Sequence, residues 1–184
     1  MAIVGAYGKD EGGSDRGAAY VFYRNQNGND LWGQVAKLTA SDAEDLDEFG
    51  AAVAVNGTTA IVGARGEDGG GSDRGAAYVF YRDKNGNDLW GEVVKVGAND
   101  DQNWDAYGCA VDLDGDIAII GSQGDNSSGQ DTGAAYVLYR HNNGNDAWGE
   151  EKKLLALDKQ GGDLFGLAVA ISGDTAVVGA PQED

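Results

Sequence analysis

Ala60-Ile61-Val62-Gly63-Ala64 decides the fold, because the same five-residue pattern returns at a fixed interval along the chain. It stands at Ala2 to Ala6, recurs as Ala118 to Ser122 and again as Ala176 to Ala180, each copy 58 residues after the last. Gly-Ala-Ala-Tyr-Val, starting at Gly17, Gly75 and Gly133, keeps the same interval, as do Trp32, Trp90 and Trp148. No insertion or deletion breaks it. A fixed period of this size is the signature of a solenoid, a propeller or an array.

Phe49 to Val96 shows what one period contains: four strands, lettered A to D by position in the repeat. Strand A, about Gly50 to Val55, carries small Ala51, Ala52 and Ala54, as a crowded innermost strand requires. Asn56-Gly57 reads as a type I′ hairpin turn. Strand B, Ala60 to Ala64, is apolar throughout, so both of its faces are expected to be covered. The acidic, glycine-rich loop Gly66 to Arg74 leads to strand C, Ala76 to Arg82, whose aromatic and β-branched residues suit a pleated surface. Asn85-Gly86 marks a second hairpin before strand D, which starts near Leu89. Trp90 is expected to cap the core at the outer edge, ring buried and N–H hydrated.

Four antiparallel strands per 58-residue repeat make a β-propeller blade, so the expected fold class is all-β. Residues 1–184 read as a single propeller segment in four phases: 1–48 (B-C-D), 49–106 (A-B-C-D), 107–164 (A-B-C-D) and 165–184 (A-B). That is a partial ring of two complete blades and two partial ones. Propellers use roughly four to eight blades, so further blades of the same or another chain are expected beside these, and all four B strands are expected to be buried.

Composition narrows the function. Thirty-one glycines against one proline fit short strands and tight turns. Thirteen basic against thirty-one acidic residues give a net charge of −18, which disfavours nucleic acid and anionic membrane surfaces as partners. Apolar runs are too short for membrane insertion. The single Cys109 stands where other repeats have Ala51 and Leu167 and reads as a small packing residue. The lone His141 occupies the hairpin position of Asn25 and Asp83. No nucleophile–histidine arrangement is visible, and the expected chain is not an enzyme.

Phe49-Gly50, Tyr107-Gly108 and Phe165-Gly166 at the entry to strand A, with Gly179-Ala180-Pro181 at the end of a strand B, resemble the FG-GAP repeats of integrin-α-like propellers. The other copies of the second motif diverge to Gly5-Ala6-Tyr7, Gly63-Ala64-Arg65 and Gly121-Ser122-Gln123. Ala36 to Asp42 ahead of Phe49-Gly50 is similar to a short-loop bacterial and protist subgroup. The resemblance implies an extracellular or cell-surface recognition or adhesion module that binds a protein or glycan, with Ca2+ as candidate cation. Integrin-type repeats carry a calcium loop between strands A and B; here only Asp112-Leu113-Asp114-Gly115-Asp116 keeps a similar pattern, and Asp114-Gly115 equally suits a plain turn.

Strand order sends the D-to-A and B-to-C connections to one rim and the hairpins to the other. Twenty of the thirty-one acids fall on the first rim, where Lys9, Arg16, Arg65, Arg74 and Lys159 are the expected counter-charges. This predicts a strongly negative rim that attracts cations or a basic partner, or one that merely keeps glycine-rich loops soluble. Candidate metal ligands are Asp42, Asp45, Asp47, Asp68 and Asp73 on that rim, and Asp112, Asp114 and Asp116 beyond it. The hairpin loops Asn25 to Asp30, Asp83 to Asp88 and His141 to Asp146 read as turns. Asn56 and Asn126 match the glycosylation acceptor pattern. An alternative role is architectural: a filament, stalk or coat subunit joined through blade edges.

Overall fold

The computed structural model describes residues 1–10, 12–26, 28–68, 72–84, 86–126, 129–141 and 147–182. Among these residues thirteen strands form four antiparallel sheets. The first is β1 (Ala2–Ala6), β2 (Ala18–Arg24) and β3 (Trp32–Leu38). The second is β4 (Phe49–Asn56), β5 (Thr59–Ala64), β6 (Ala76–Tyr81) and β7 (Gly91–Val96). The third is β8 (Tyr107–Asp114), β9 (Ile117–Ser122), β10 (Ala134–Arg140) and β11 (Trp148–Leu154); the last pairs β12 (Ala168–Ser172) with β13 (Thr175–Gly179). In each sheet the strands lie side by side in chain order, which is the meander of a propeller blade. Among the described residues no helix is long and apolar enough to cross a membrane.

The continuous apolar run of strand B is explained by the blade stack. On β5, Ile61 joins Val79, Tyr107, Leu113, Ile120 and Tyr136 in the core between the second and third sheets. Ala60 and Val62 join Val21, Leu38, Phe49, Tyr78 and Phe80 in the core between the first and second. Every residue of β5 is therefore buried, and β9 repeats the pattern with one residue only half-buried. The expectation fails for β1 and β13, which are half-buried to exposed, with Val4 and Val177 facing solvent. Each has a neighbouring sheet on one side only in this chain, so sequence apolarity there exceeds local cover.

The Phe-Gly pair does two jobs at once. Phe49 buries its ring edge-on against Tyr78 and Phe80 of its own blade, centroids 5.4 and 5.9 Å apart. Its backbone meanwhile forms a parallel bridge to Gly17, at the start of strand C in the preceding blade; Gly75–Tyr107 and Gly133–Phe165 repeat it. A Cβ on Gly75 would lie 2.1 Å from the Tyr107 carbonyl oxygen, at a φ of +81° that side chains disfavour. The glycine that opens strand C is thus an inter-blade contact and not only a strand boundary.

Two local expectations are corrected. In the A-to-B hairpins Asn56 pairs with Thr59 and Asp114 with Ile117, so the central residues are Gly57-Thr58 and Gly115-Asp116. Only the glycine has positive φ, 56° and 60°, which is the type II′ pattern and not type I′. The tryptophan N–H groups are not left to water. Trp90 Nε1 donates to Tyr23 Oη at 3.0 Å and Trp148 Nε1 to Tyr81 Oη at 2.9 Å, each across a blade boundary. Arg82 and Arg140 stack on those same tyrosine rings, 5.0 and 4.6 Å from the centroids. Trp32, in the first described sheet, is 51% exposed.

Candidate functional site at the acidic rim

The D-to-A loop of each blade and the B-to-C loop of the blade before it are joined backbone to backbone. Leu46 N–H donates to Ser14 O at 2.8 Å and Glu48 N–H to Asp15 O at 3.0 Å; Trp104 N–H and Ala106 N–H repeat this on Ser72 O and Asp73 O at 2.8 and 3.0 Å. Within the loops, carboxylates close turns. Asp47 and Asp105, both buried, accept the N–H of Glu44 at 2.6 Å and of Gln102 at 2.7 Å, and Asp163 accepts that of Gln160. Asp68 accepts Asp73 N–H at 3.0 Å, and Asn126 accepts Asp131 N–H at 2.7 Å in the equivalent place. Burial pushes the Asp47 and Asp105 carboxyls up to about 6, against the lowering effect of those amide donors.

Sequence reasoning missed the principal counter-charges of this rim. Lys95 reaches up from β7 and bridges Asp42 and Glu67, 2.7 Å from each, above the ring of Tyr78. Tyr78 Oη donates to Asp42 at 2.9 Å. Burial alone would raise Asp42, but Lys95 and Tyr78 outweigh it and hold the carboxyl below its usual range. The third blade rebuilds the cluster: Lys153 lies 2.8 Å from Asp100 and 2.6 Å from Asp125, with Tyr136 Oη 3.0 and 2.8 Å from the same two carboxylates. The signal was present in the repeat, since Lys37, Lys95 and Lys153, and Tyr20, Tyr78 and Tyr136, recur every 58 residues.

Arg16 pairs with Asp45 at 2.7 Å, Arg74 with Asp101 at 3.2 Å and Arg65 with Glu48. These pairs offset part of the rim's charge, which stays negative because the acids outnumber the bases. Glu183 and Asp184, assigned to the rim from sequence, lie outside the described residues, as does Glu11.

Asp112, Asp114 and Asp116 do not converge. Asp112 accepts Ile171 N–H and Asp114 accepts Gly173 N–H, both at 2.8 Å and both from the next blade, while Asp116 faces Arg140 at 3.4 Å. Asp112 and Asp114 act as inter-blade staples, and Asp116 pairs within its own blade. Among the described residues no three histidine, cysteine or acidic side chains gather as a metal-binding group. Asn56 is exposed and its amide reaches Asp114 at 3.4 Å; Ser127 and Ser128, which complete the Asn126 acceptor pattern, lie outside the described residues. The hairpin carboxamide and carboxylate of Asn25 and Asp83 accept the N–H of Asp30 and Asp88 at 2.7 and 2.6 Å, as turns do. In the third hairpin residues 142–146 are outside the description, and His141 is exposed. Cys109 is half-buried, its thiol 3.6 Å from Gly166 O and pushed up to about 11 by burial, which makes it a poor nucleophile.

Clefts open on this rim, one of them, of about 290 Å³, lined by Gln130, Asp131, Gly161 and Gly162. A cleft of about 390 Å³ lies between the second and third blades, lined by Leu46, Glu48, Arg65, Asp73, Trp104 and Gln123 among others. Leu46 and Trp104 are 59% and 61% exposed, and both have left-handed backbone, φ 72° and 73°.

Four-stranded antiparallel blades, joined by a Phe/Tyr-Gly bridge at every boundary, define a β-propeller repeat protein. The FG-GAP repeat family model matches residues 32–80, 90–138 and 148–184, and the chain belongs to that family. FG-GAP repeats are typical of extracellular, adhesion-type propellers, and the fold is generally one of recognition and not of catalysis. Comparison with curated proteins finds no match.

Proposed function

We propose that this chain is a non-enzymatic recognition segment, extracellular or at a cell surface, that engages a protein or glycan partner through the rim of D-to-A and B-to-C loops. The observation that carries this reading is the asymmetry of the two rims. On one rim the A-to-B hairpins are two-residue turns and the longer C-to-D loops bond within their own blade, as Asn25 with Leu31 and Asp83 with Asp88 do, whereas the loops of the other rim are stitched backbone to backbone between blades. Rigid loops that present side chains at a blade rim lose little entropy on binding.

The test is retention of the purified chain on arrays of glycans and of cell-surface proteins, compared with a rim variant carrying Asp45→Asn, Glu48→Gln, Asp73→Asn and Trp104→Gly. Retention by the wild type, lost in the variant, supports the reading; equal retention by both removes it. A cation contribution is a separate arm. If Asp42, Asp45 or Asp68 takes part, calcium raises the melting temperature of the wild type and not of the corresponding Asn variants.

A further inference from the structure

We propose that the cleft between Leu46 and Trp104 is a binding site for a neutral saccharide; the inference rests on the rim being the recognition surface. Two large apolar side chains stand there in water, each on a residue in the left-handed region that disfavours any Cβ. The corresponding position of the following repeat is Gly162, with a φ of +95°, so the loop closes with glycine and needs no side chain there. Left-handed φ recurs at the same loop positions of each repeat, Glu48, Ala106 and Leu164 among them, so the feature that points to a ligand is the exposed leucine and indole carried on a turn that glycine serves in the third copy.

The backbone beneath the ring is fixed. Trp104 N–H is bonded to Ser72 O at 2.8 Å, and its carbonyl lies where a Cβ on Gly124 would be 2.1 Å away, so nothing larger than glycine fits against it. Leu46 is seated in the same way on Gly66. The backbone that carries the indole is therefore held in place, which limits the entropy lost on binding.

The polar lining selects the ligand class. Glu48 and Arg65 form an ion pair at the cleft, Asp73 adds a carboxylate and Gln123 a carboxamide. Together they supply planar donors and acceptors in pairs, matched to adjacent hydroxyl groups, while the electron-rich indole face attracts the polarised C–H face of a pyranose ring. Two carboxylates against one guanidinium leave a net negative lining, which rejects uronic and sialic acids. The cleft lies at the small end of the ligand-site range and is lined by loop residues, so it offers no strand edge on which an extended peptide could continue a sheet.

Calorimetric and tryptophan-fluorescence titrations of the whole chain with cellobiose, lactose, chitobiose and mannobiose test this, with 3′-sialyllactose and a neutral tryptophan-free peptide as comparators. At least one neutral disaccharide is expected to bind, and 3′-sialyllactose to bind about tenfold more weakly or not at all. Trp104→Gly is expected to abolish that binding while leaving the melting temperature equal or higher, and Asp73→Asn to weaken it several-fold in a folded protein. Absence of binding by all four disaccharides, or saccharide binding unchanged in Trp104→Gly, overturns the inference. Peptide binding that depends on Trp104, without saccharide binding, overturns the ligand class and leaves rim recognition standing. Partner retention on arrays that ignores every rim substitution overturns rim recognition itself.

Discussion

Asp105 is fully buried, and its Oδ1 lacks a hydrogen-bond partner among the described residues while Oδ2 accepts Gln102 N–H. Its carboxyl is raised to about 6, first by burial and then by the nearby charge of Asp125. A group raised on folding contributes stability that is complete below its unfolded value, about 3.9, and lost as pH climbs through the folded value. Asp105 therefore penalises the folded state above pH 6. Asp105→Asn keeps an acceptor for Gln102 and turns a donor toward the orphaned side. Urea denaturation is expected to find it about 1–2 kcal/mol more stable than wild type at pH 7.5, with the difference vanishing near pH 4. At the same scale, Gly75→Ala forces a Cβ onto the Tyr107 carbonyl and is expected to destabilise by about 3 kcal/mol or more, whereas Gly57→Ala meets no atom and pays only for its positive φ, about 1 kcal/mol.

At the scale of the element, β7 and β11 each send one lysine into the acidic rim, and the two are not equivalent to Lys37 on β3. Asp125 is 1% exposed at its side chain, so Lys153→Met strands a buried carboxylate and is expected to destabilise by about 3 kcal/mol in chemical denaturation. Lys37 is exposed, and Lys9 occupies the position of Asp125 in its blade, so Lys37→Met should change stability by no more than about 0.5 kcal/mol. Strand identities were legible because apolar runs and β-branched residues report burial directly. Turn type was not, since Asn-Gly suits two hairpin geometries and the choice depends on which residues pair. The Lys95 bridge was hidden because Asp42 and Lys95 are 53 residues apart in sequence and meet only when a loop folds over the next blade. The Leu46–Trp104 cleft left one trace, Gly162 at the same repeat position, which signals positive φ there, but the meeting of loops from two blade boundaries is not legible in either loop.

At the scale of the molecule, the inner sheets are sandwiched and the outer two are each covered on one face, leaving Val4 52% and Val177 65% exposed. Apolar strand surface of this kind seeks cover. Sedimentation velocity of the 184-residue chain is expected to find concentration-dependent association, relieved by Val4→Lys with Val177→Lys; a monomer insensitive to both changes contradicts blade stacking beyond these sheets. Partners are expected to meet the stitched rim. Amide hydrogen exchange of the chain with and without a partner retained on the arrays tests it most directly. Slowed exchange at residues 44–48, 65–68, 101–106 and 123–126, with the hairpins at 56–59 and 114–117 unchanged, is the predicted result. Protection centred on the hairpins, or on the exposed strands β1 and β13, would contradict it.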